Sequence, residues 1–352
     1  MSRDWSDSRI GSSAGTNVEQ VTALQARFDG LIDDLFARPD GDGLSLALVV
    51  RQHGEVVAER YGVQPANIFQ PETAITAESS LTSWSMAKSI THAAIGLLVV
   101  DGSIDVDAPA AVPEWAGTDK AAITLLQLLE MRSGLRFVED YVDDEVSHCI
   151  EMLFGESGPS HAAYAAALPL DHPPGTFYNY SSGTTNIIAR IIGDIVHGAP
   201  GGSPGERRAG VEAFLQERLF GPVGMSSAAP KFDAAGDFVG SSYVYATARD
   251  FATFGELYLH DGVTSRGVRI LPEGWSDHAR GFSALDPDNG CVYGRHWWMW
   301  PGIPDSLACH GHEGQYVVVV PDRDVVLTHL GKTPADASAG LRARLSDMIQ
   351  LF

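Results

Sequence analysis

Two residues invite a chemical reading first: Ser85 and Lys88, in the stretch Ser83-Trp84-Ser85-Met86-Ala87-Lys88-Ser89. On a helix an i, i+3 pair lies on one face, one turn apart, so the hydroxyl and the amine would face each other. Lysine usage sharpens the point. The chain has 24 Lys and Arg in total, and only Lys88, Lys120, Lys231 and Lys332 are lysines. Arginine stays protonated and cannot act as a base, whereas a desolvated lysine can. A lysine kept one turn from a serine therefore points to an activated nucleophile more than to a lysine snorkelling from a core helix.

The elements that would hold this pair can be read around it. Ile90, Ala93, Ala94, Ile95, Leu97, Leu98, Val99 and Val100 follow directly, apolar nearly all round as in a buried helix, and Gly102 can close it. Before it, Val18 to Ala37 has Val21, Leu24, Phe28, Leu31, Ile32 and Leu35 at helical spacing. Leu44–Arg51 and Val56–Tyr61 read as strands joined at His53-Gly54. Residues 103–240 read as mainly helical, with Ala199–Arg208 a Gly/Pro loop. Trp297–Trp300, Gln315–Val320 and Val325–Leu330 read as strands, and 335–352 as a closing amphipathic helix. The pattern predicts an α/β (α+β) protein whose sheet is built from both ends of the chain. Its expected parts are a disordered tail at 1–16, a discontinuous sheet domain at 17–80 and 241–352, and a helical domain at 81–240 with the active site between them.

Composition narrows the classes. A net charge of −21 over 352 residues argues against nucleic acid as a partner. Three widely spaced cysteines do not make a disulfide framework. Met1 to Thr16 has no apolar core of a signal peptide, and no apolar run reaches the ~18 residues of a membrane span. The expectation is a cytoplasmic protein with no membrane contact; its oligomeric state is not readable. Gly11-Ser12-Ser13-Ala14-Gly15 matches a nucleophile elbow in letters, but lacks the strand and helix that motif needs.

Three stretches together resemble one family. Ser85-Met86-Ala87-Lys88, Tyr180-Ser181-Ser182 and His312-Glu313-Gly314-Gln315 are similar to the three motifs of the serine β-lactamase and penicillin-binding-protein superfamily. The resemblance is closest to its class C branch of esterases, D-amino-acid peptidases and 6-aminohexanoate-dimer hydrolases. It spans roughly residues 44–331 and is supported by Ser133-Gly134-Leu135 and by Pro174-Gly175-Thr176. It implies a β-lactamase-like fold: a central antiparallel sheet flanked by the terminal helices, with a helical domain inserted. It also implies Ser85 as nucleophile, Lys88 and Tyr180 as the proton-transfer pair, and the backbone N–H groups of Ser85 and Gln315 as the oxyanion hole. Which of Lys88 and Tyr180 takes the serine proton stays open. No metal or organic cofactor is implied.

Two departures from the family's pattern shape the expected substrate. Its β-lactam-recognising members carry Asn where this chain has Ser182, and Lys-Thr-Gly where it has His312-Glu313-Gly314. A fixed cation is thus exchanged for an imidazole, mostly neutral near pH 7. The expectation is therefore a serine hydrolase of small carboxylic esters or amides, with Ser182, His312, Gly314 and Trp298 touching substrate. The alternatives are a β-lactamase or D-amino-acid peptidase, and a catalytically inactive binding module on the same fold. A metal pair at His310 and His312 lacks a third ligand of convincing spacing. The acidic loop, Glu139, Asp140, Asp143, Asp144 and Glu145, reads as a solvated face before it reads as a receptor for an amine. His92 reads as a core histidine, and Cys309 has no evident activating partner.

Overall fold

The computed structural model describes residues 14–68, 70–140 and 146–352. The tail and its Gly11-to-Gly15 motif fall mostly outside this range, as do Asp143, Asp144 and Glu145 of the acidic loop. Helix α1 (Ala14–Phe36) starts inside the stretch expected to be tail.

The central sheet has eight antiparallel strands: β1 (Leu44–Gln52) and β2 (Glu55–Tyr61) from the start of the chain, the rest from its end. His53 and Gly54 both take positive φ, 51° and 78°, the two-residue turn that suits the right-handed twist of a hairpin. Two short strands, β3 (Leu81–Thr82) and β4 (Val244–Ala246), pair with each other where the chain leaves for the helical layer and where it returns. After them come β5 (Ala284–Leu285), β6 (Val292–Tyr293), β7 (Trp298–Met299), β8 (Leu307–Gly311), β9 (Gln315–Val320) and β10 (Val325–Lys332). The order across the sheet is β2-β1-β10-β9-β8-β7-β6-β5. The first and last long strands are therefore neighbours, with Leu44 opposite Lys332.

Both faces of this sheet are covered, which explains strands that are apolar almost throughout. Alternate side chains go to opposite sides. Leu48, Val50, Val318, Val320, Val325 and Leu327 join a core made with α1 and the last helix, α10 (Ser338–Ile349). Ala47, Val49, Val317, Val319 and Val326 face the other way, into a core shared with the helical layer. Helix α8 (Ala248–Leu259) lies directly on that second face. Gly255 permits the approach: a Cβ there would stand 2.5 Å from Val326 Cγ1 and 2.8 Å from Val317 Cγ1.

Helix α2 (Ala87–Val100) runs through the same core, and every residue from Ala87 to Leu98 is buried. Side chains such as Ile90, Leu97 and Leu98 each contribute about 1.5–3 kcal/mol by leaving water. The helical layer also contains α3 (Leu125–Leu129), α4 (His148–Phe154), α5 (His161–Ala167), α6 (Ser182–His197) and α7 (Pro204–Leu215); a further helix, α9 (Trp275–Arg280), follows α8.

Three expectations are corrected. Pro204 does not sit in a loop but opens α7, where Ser203 and Glu206 form a capping box; proline is tolerated at that first position because no N–H is needed there. Only Trp298 and Met299 of the expected 297–300 strand pair in the sheet. Strand β8 is not among the three late strands expected, although the spacing of His310 and His312 presumes an extended segment there.

Candidate active site

Ser85 lies in a 3-10 turn, Trp84–Met86, that continues without a break into α2. Trp84 holds φ at 44°, an uncommon conformation for a bulky residue. The turn is clamped from two sides. Ser83 N–H donates to Val244 O at 2.9 Å, and Val244 N–H donates to Ser83 Oγ at 3.0 Å. From the other side comes the end of β8, where a Cβ on Gly311 would stand 2.5 Å from Ser83 O.

Lys88 is 2% exposed. Its Nζ donates to Ser85 Oγ at 3.0 Å, Ser182 Oγ at 3.0 Å and Ser241 O at 3.1 Å, and lies 4.7 Å from the centre of the Tyr180 ring. Tyr180 arrives on a segment fixed to its neighbours by Asn179, whose N–H donates to Met131 O at 2.8 Å and whose Nδ2 donates to Phe137 O at 3.0 Å. The Tyr180 hydroxyl lies by the Ser85–Lys88 pair, and both residues favour its ionised form. Burial pushes its pKa above the usual phenol value; Lys88 opposes the rise and Glu139 adds to it. The group is thus a phenol at neutral pH, not the phenolate that an adjacent ammonium alone would favour.

The structure brings Ser85, Lys88, Tyr180 and Ser182 together, and places the other sequence candidates differently. Ser182, the first residue of α6, is 1% exposed. Its hydroxyl spans Lys88 and a carboxylate: Oγ donates to Glu139 Oε1 at 2.5 Å and N–H donates to Glu139 Oε2 at 2.7 Å. That hydroxyl proton is committed within the protein and does not present itself to a substrate. His312, Glu313 and Gly314 form the turn between β8 and β9, not part of a strand. His312 is exposed and meets Trp84 edge-on at 5.6 Å, while Trp84 leans on Tyr243 at 5.8 Å. Gly314 is packed beneath α10, where a Cβ would approach Leu341 Cδ2 to 2.7 Å. Its carbonyl accepts from His329 Nδ1 at 2.8 Å. Gln315 opens β9, with β8 on one side and β10 on the other, and its carboxamide is bonded to Gly331 through both Nε2 and Oε1. Trp298 is 5% exposed and backs Tyr180, ring centres 5.6 Å apart, so it supports the tyrosine from behind.

His310 does not pair with His312. Its ring stacks on Trp298 at 5.0 Å, and burial lowers its pKa to about 3. No group of three or more His, Cys, Asp or Glu placed to hold a metal occurs among the described residues. His92 is bonded in the core to Tyr258 OH at 2.7 Å and His278 Nδ1 at 3.0 Å. Burial raises the Cys309 thiol to about 12, which leaves it unreactive.

The residue that sequence reasoning left in a solvated loop is Glu139. It is anchored from behind, since Val138 N–H donates to His148 Nδ1 at 2.9 Å and Val138 O accepts from Cys149 N–H at 3.2 Å.

With this geometry in place, the relationships of the chain can be stated. The model of the family described as Beta-lactamase matches residues 26–348. The chain belongs to the Beta-lactamase family. Its fold is the family's α/β arrangement of an antiparallel sheet and helices, and the family is one of serine hydrolases. A 6-aminohexanoate-dimer hydrolase of Paenarthrobacter ureafaciens is 27% identical over 275 residues, 71% of this chain. The aligned part spans 65% of that relative's length. Among solved structures, the D-amino acid amidase of Ochrobactrum anthropi SV3, complexed with D-phenylalanine, superposes with a TM-score of 0.66 at 17% identity, covering 93% of this chain and 99% of that one. A family VIII carboxylesterase gives 0.66 at 16% identity, covering 94% and 97%. At these identities the two structures speak to fold alone. No described helix is long and apolar enough to cross a membrane.

Proposed function

We propose that this chain hydrolyses small carboxylic esters or amides through an acyl-enzyme on Ser85. The observation that carries the reading is the contact of a buried Lys88 Nζ with Ser85 Oγ at 3.0 Å, with the Tyr180 ring centre 4.7 Å from the same nitrogen. Ser85 Oγ attacks the carbonyl carbon, the Lys88/Tyr180 pair takes its proton and returns it to the leaving group, and water then releases the acid. The first oxyanion donor is the N–H of Ser85. The second comes from the end of β8, Gly311–His312, in place of Gln315, because Gly311 packs directly against the Ser83 carbonyl. Such donors are worth about 10²–10³ in rate each. Trp84, Tyr243 and His312 wall the approach to the serine and suit an apolar acyl group. The curated relative's name supports an amide among the substrates, and the departures at Ser182 and His312 weigh against β-lactams.

The test is intact-protein mass spectrometry after incubation with a fluorophosphonate, beside Ser85→Ala. A single adduct on Ser85 that is absent from the variant is the expected result. A folded protein that stays unlabelled would instead favour a binding module on this fold.

A further inference from the structure

We infer that Glu139 is a positioning residue of the acylation step: acting through the Ser182 hydroxyl, it decides which face of the Lys88 amine meets Ser85. This rests on Ser85 being the nucleophile.

One chain of hydrogen bonds fixes where the protons lie. The Glu139 carboxylate can only accept. It takes the Ser182 N–H at 2.7 Å and the single hydroxyl proton of Ser182 at 2.5 Å. With that proton spent, Ser182 Oγ can only accept from Lys88 Nζ at 3.0 Å. The carbonyl of Ser241, at 3.1 Å, can likewise only accept. Two N–H bonds of Lys88 are therefore tied, one to Ser182 and one to Ser241. The remaining tetrahedral position of Nζ faces Ser85 Oγ at 3.0 Å. In the ammonium that position holds a proton; in the neutral amine it holds the lone pair.

When the amine is neutral, its lone pair is thus aimed at the serine proton before substrate arrives. As Oγ forms its bond to the carbonyl carbon, the carbonyl π pair moves to oxygen, and the Oγ proton passes to Nζ. The ammonium so formed has an acceptor on each of two N–H bonds, and the Glu139 charge lies one hydroxyl away to balance it. Were Ser182 free to turn its proton toward Nζ, the lone pair could be drawn off the nucleophile. Glu139 prevents that.

The carboxylate is placed for this by the fold. It sits at the N-terminus of a 16-residue helix, where an anion is favoured. Its own segment is tied to α4 through Val138. The titratable groups around Lys88 are Tyr180, Glu139 and His296. Burial holds His296 neutral, with a pKa of about 3, and Tyr180 is a phenol, so Glu139 supplies the anion of the cluster.

The experiment compares wild type, Glu139→Gln, Ser182→Ala and the double variant by kcat, KM and pH–rate profile on a p-nitrophenyl ester, with fluorophosphonate labelling of Ser85 in parallel. Glu139→Gln is expected to lower kcat about 10-fold or more with little change in KM. It should also move the acid limb of the profile to lower pH by about one unit, because the base loses a nearby anion. Ser182→Ala retains the backbone bond to Glu139 and cuts only the link to Lys88. It is expected to lower kcat similarly, and adding Glu139→Gln should then cost little more, since the two act in series. Should Glu139→Gln fail to fold, Ser182→Ala alone decides. Wild-type kcat and pH profile in a folded Glu139→Gln or Ser182→Ala enzyme would overturn the proposal and leave Glu139 as a helix cap. Failure of wild type to label at Ser85 would instead overturn the nucleophile assignment.

Discussion

Replacing Gly311 with alanine tests whether β8 sets the position of the nucleophile. The added Cβ would stand 2.5 Å from Ser83 O, and 2.8 Å from Gln315 Cβ. The carbonyl cannot rotate away freely, because Ser83 is also held by Val244 through its N–H and its Oγ. Ordinary contact between a methyl carbon and a carbonyl oxygen is about 3.2–3.5 Å, so the strand and the serine turn must separate by roughly 0.7–1 Å. Overpacking of this size costs about 1–3 kcal/mol of stability. A displacement approaching 1 Å at the reacting atoms costs up to about 10²-fold in rate. The expectation for Gly311→Ala is a folded protein with kcat on a p-nitrophenyl ester down about 10- to 100-fold and slower fluorophosphonate labelling of Ser85. Gly340→Ala, where no atom lies within 4 Å of the new Cβ, serves as the control. Labelling of Gly311→Ala at the wild-type rate with an unchanged melting temperature would refute the clamp.

Lys88→Arg keeps a cation but removes an amine that can be both donor and base; kcat should fall about 10²–10⁴-fold, and full activity would end the proton-transfer role given to Lys88. Acid should unfold the protein early, because His296 and His329 are fully enclosed and burial lowers both from 6.5 to about 3. Between those values the unfolded chain binds more protons than the native one, so stability falls as pH drops below about 6.5. At pH 5 the loss is about 2 kcal/mol per histidine, seen as a lower melting temperature at pH 5 than at pH 7.5. A flat profile across that range would mean both imidazoles titrate normally.

Much of the site was legible because it is local. Ser85 and Lys88 are one helical turn apart, and the apolar run after them foretells burial on every side. The hairpin at His53-Gly54 carries its own backbone chemistry. Glu139 was not legible: its bonds to Ser182 span 43 residues, and a carboxylate in an acidic stretch looks the same whether it faces water or a helix terminus. Strand β8 was hidden because Ala308, Cys309, His310 and Gly311 lack alternation, the apolar partners being supplied by Val317, Val318 and Val319 across the ladder. That omission also displaced the third motif. With β8 unrecognised, the motif was placed on a strand, whereas His312 to Gly314 are the turn that follows β8. Helix α7 was missed although Ser203, Pro204 and Glu206 are a start signal, since the glycines before them dominated the reading.

The pairing of β1 with β10 has a consequence for how the protein comes into being. Helix α8 leaves the ribosome before Gln315–Val320 and Val325–Lys332 exist, yet the sheet face beneath it is made largely from those two strands. Until those strands are made that helix has no sheet to lie on, and the first hairpin has no neighbour on its inner edge. Completion of the sheet must therefore wait for β9 and β10, a non-local closure of the kind that makes proteins slow to fold and open to aggregation. The nascent chain thus carries Ser85 and Lys88 early, but their surroundings are complete only once β8, β9 and β10 have been made.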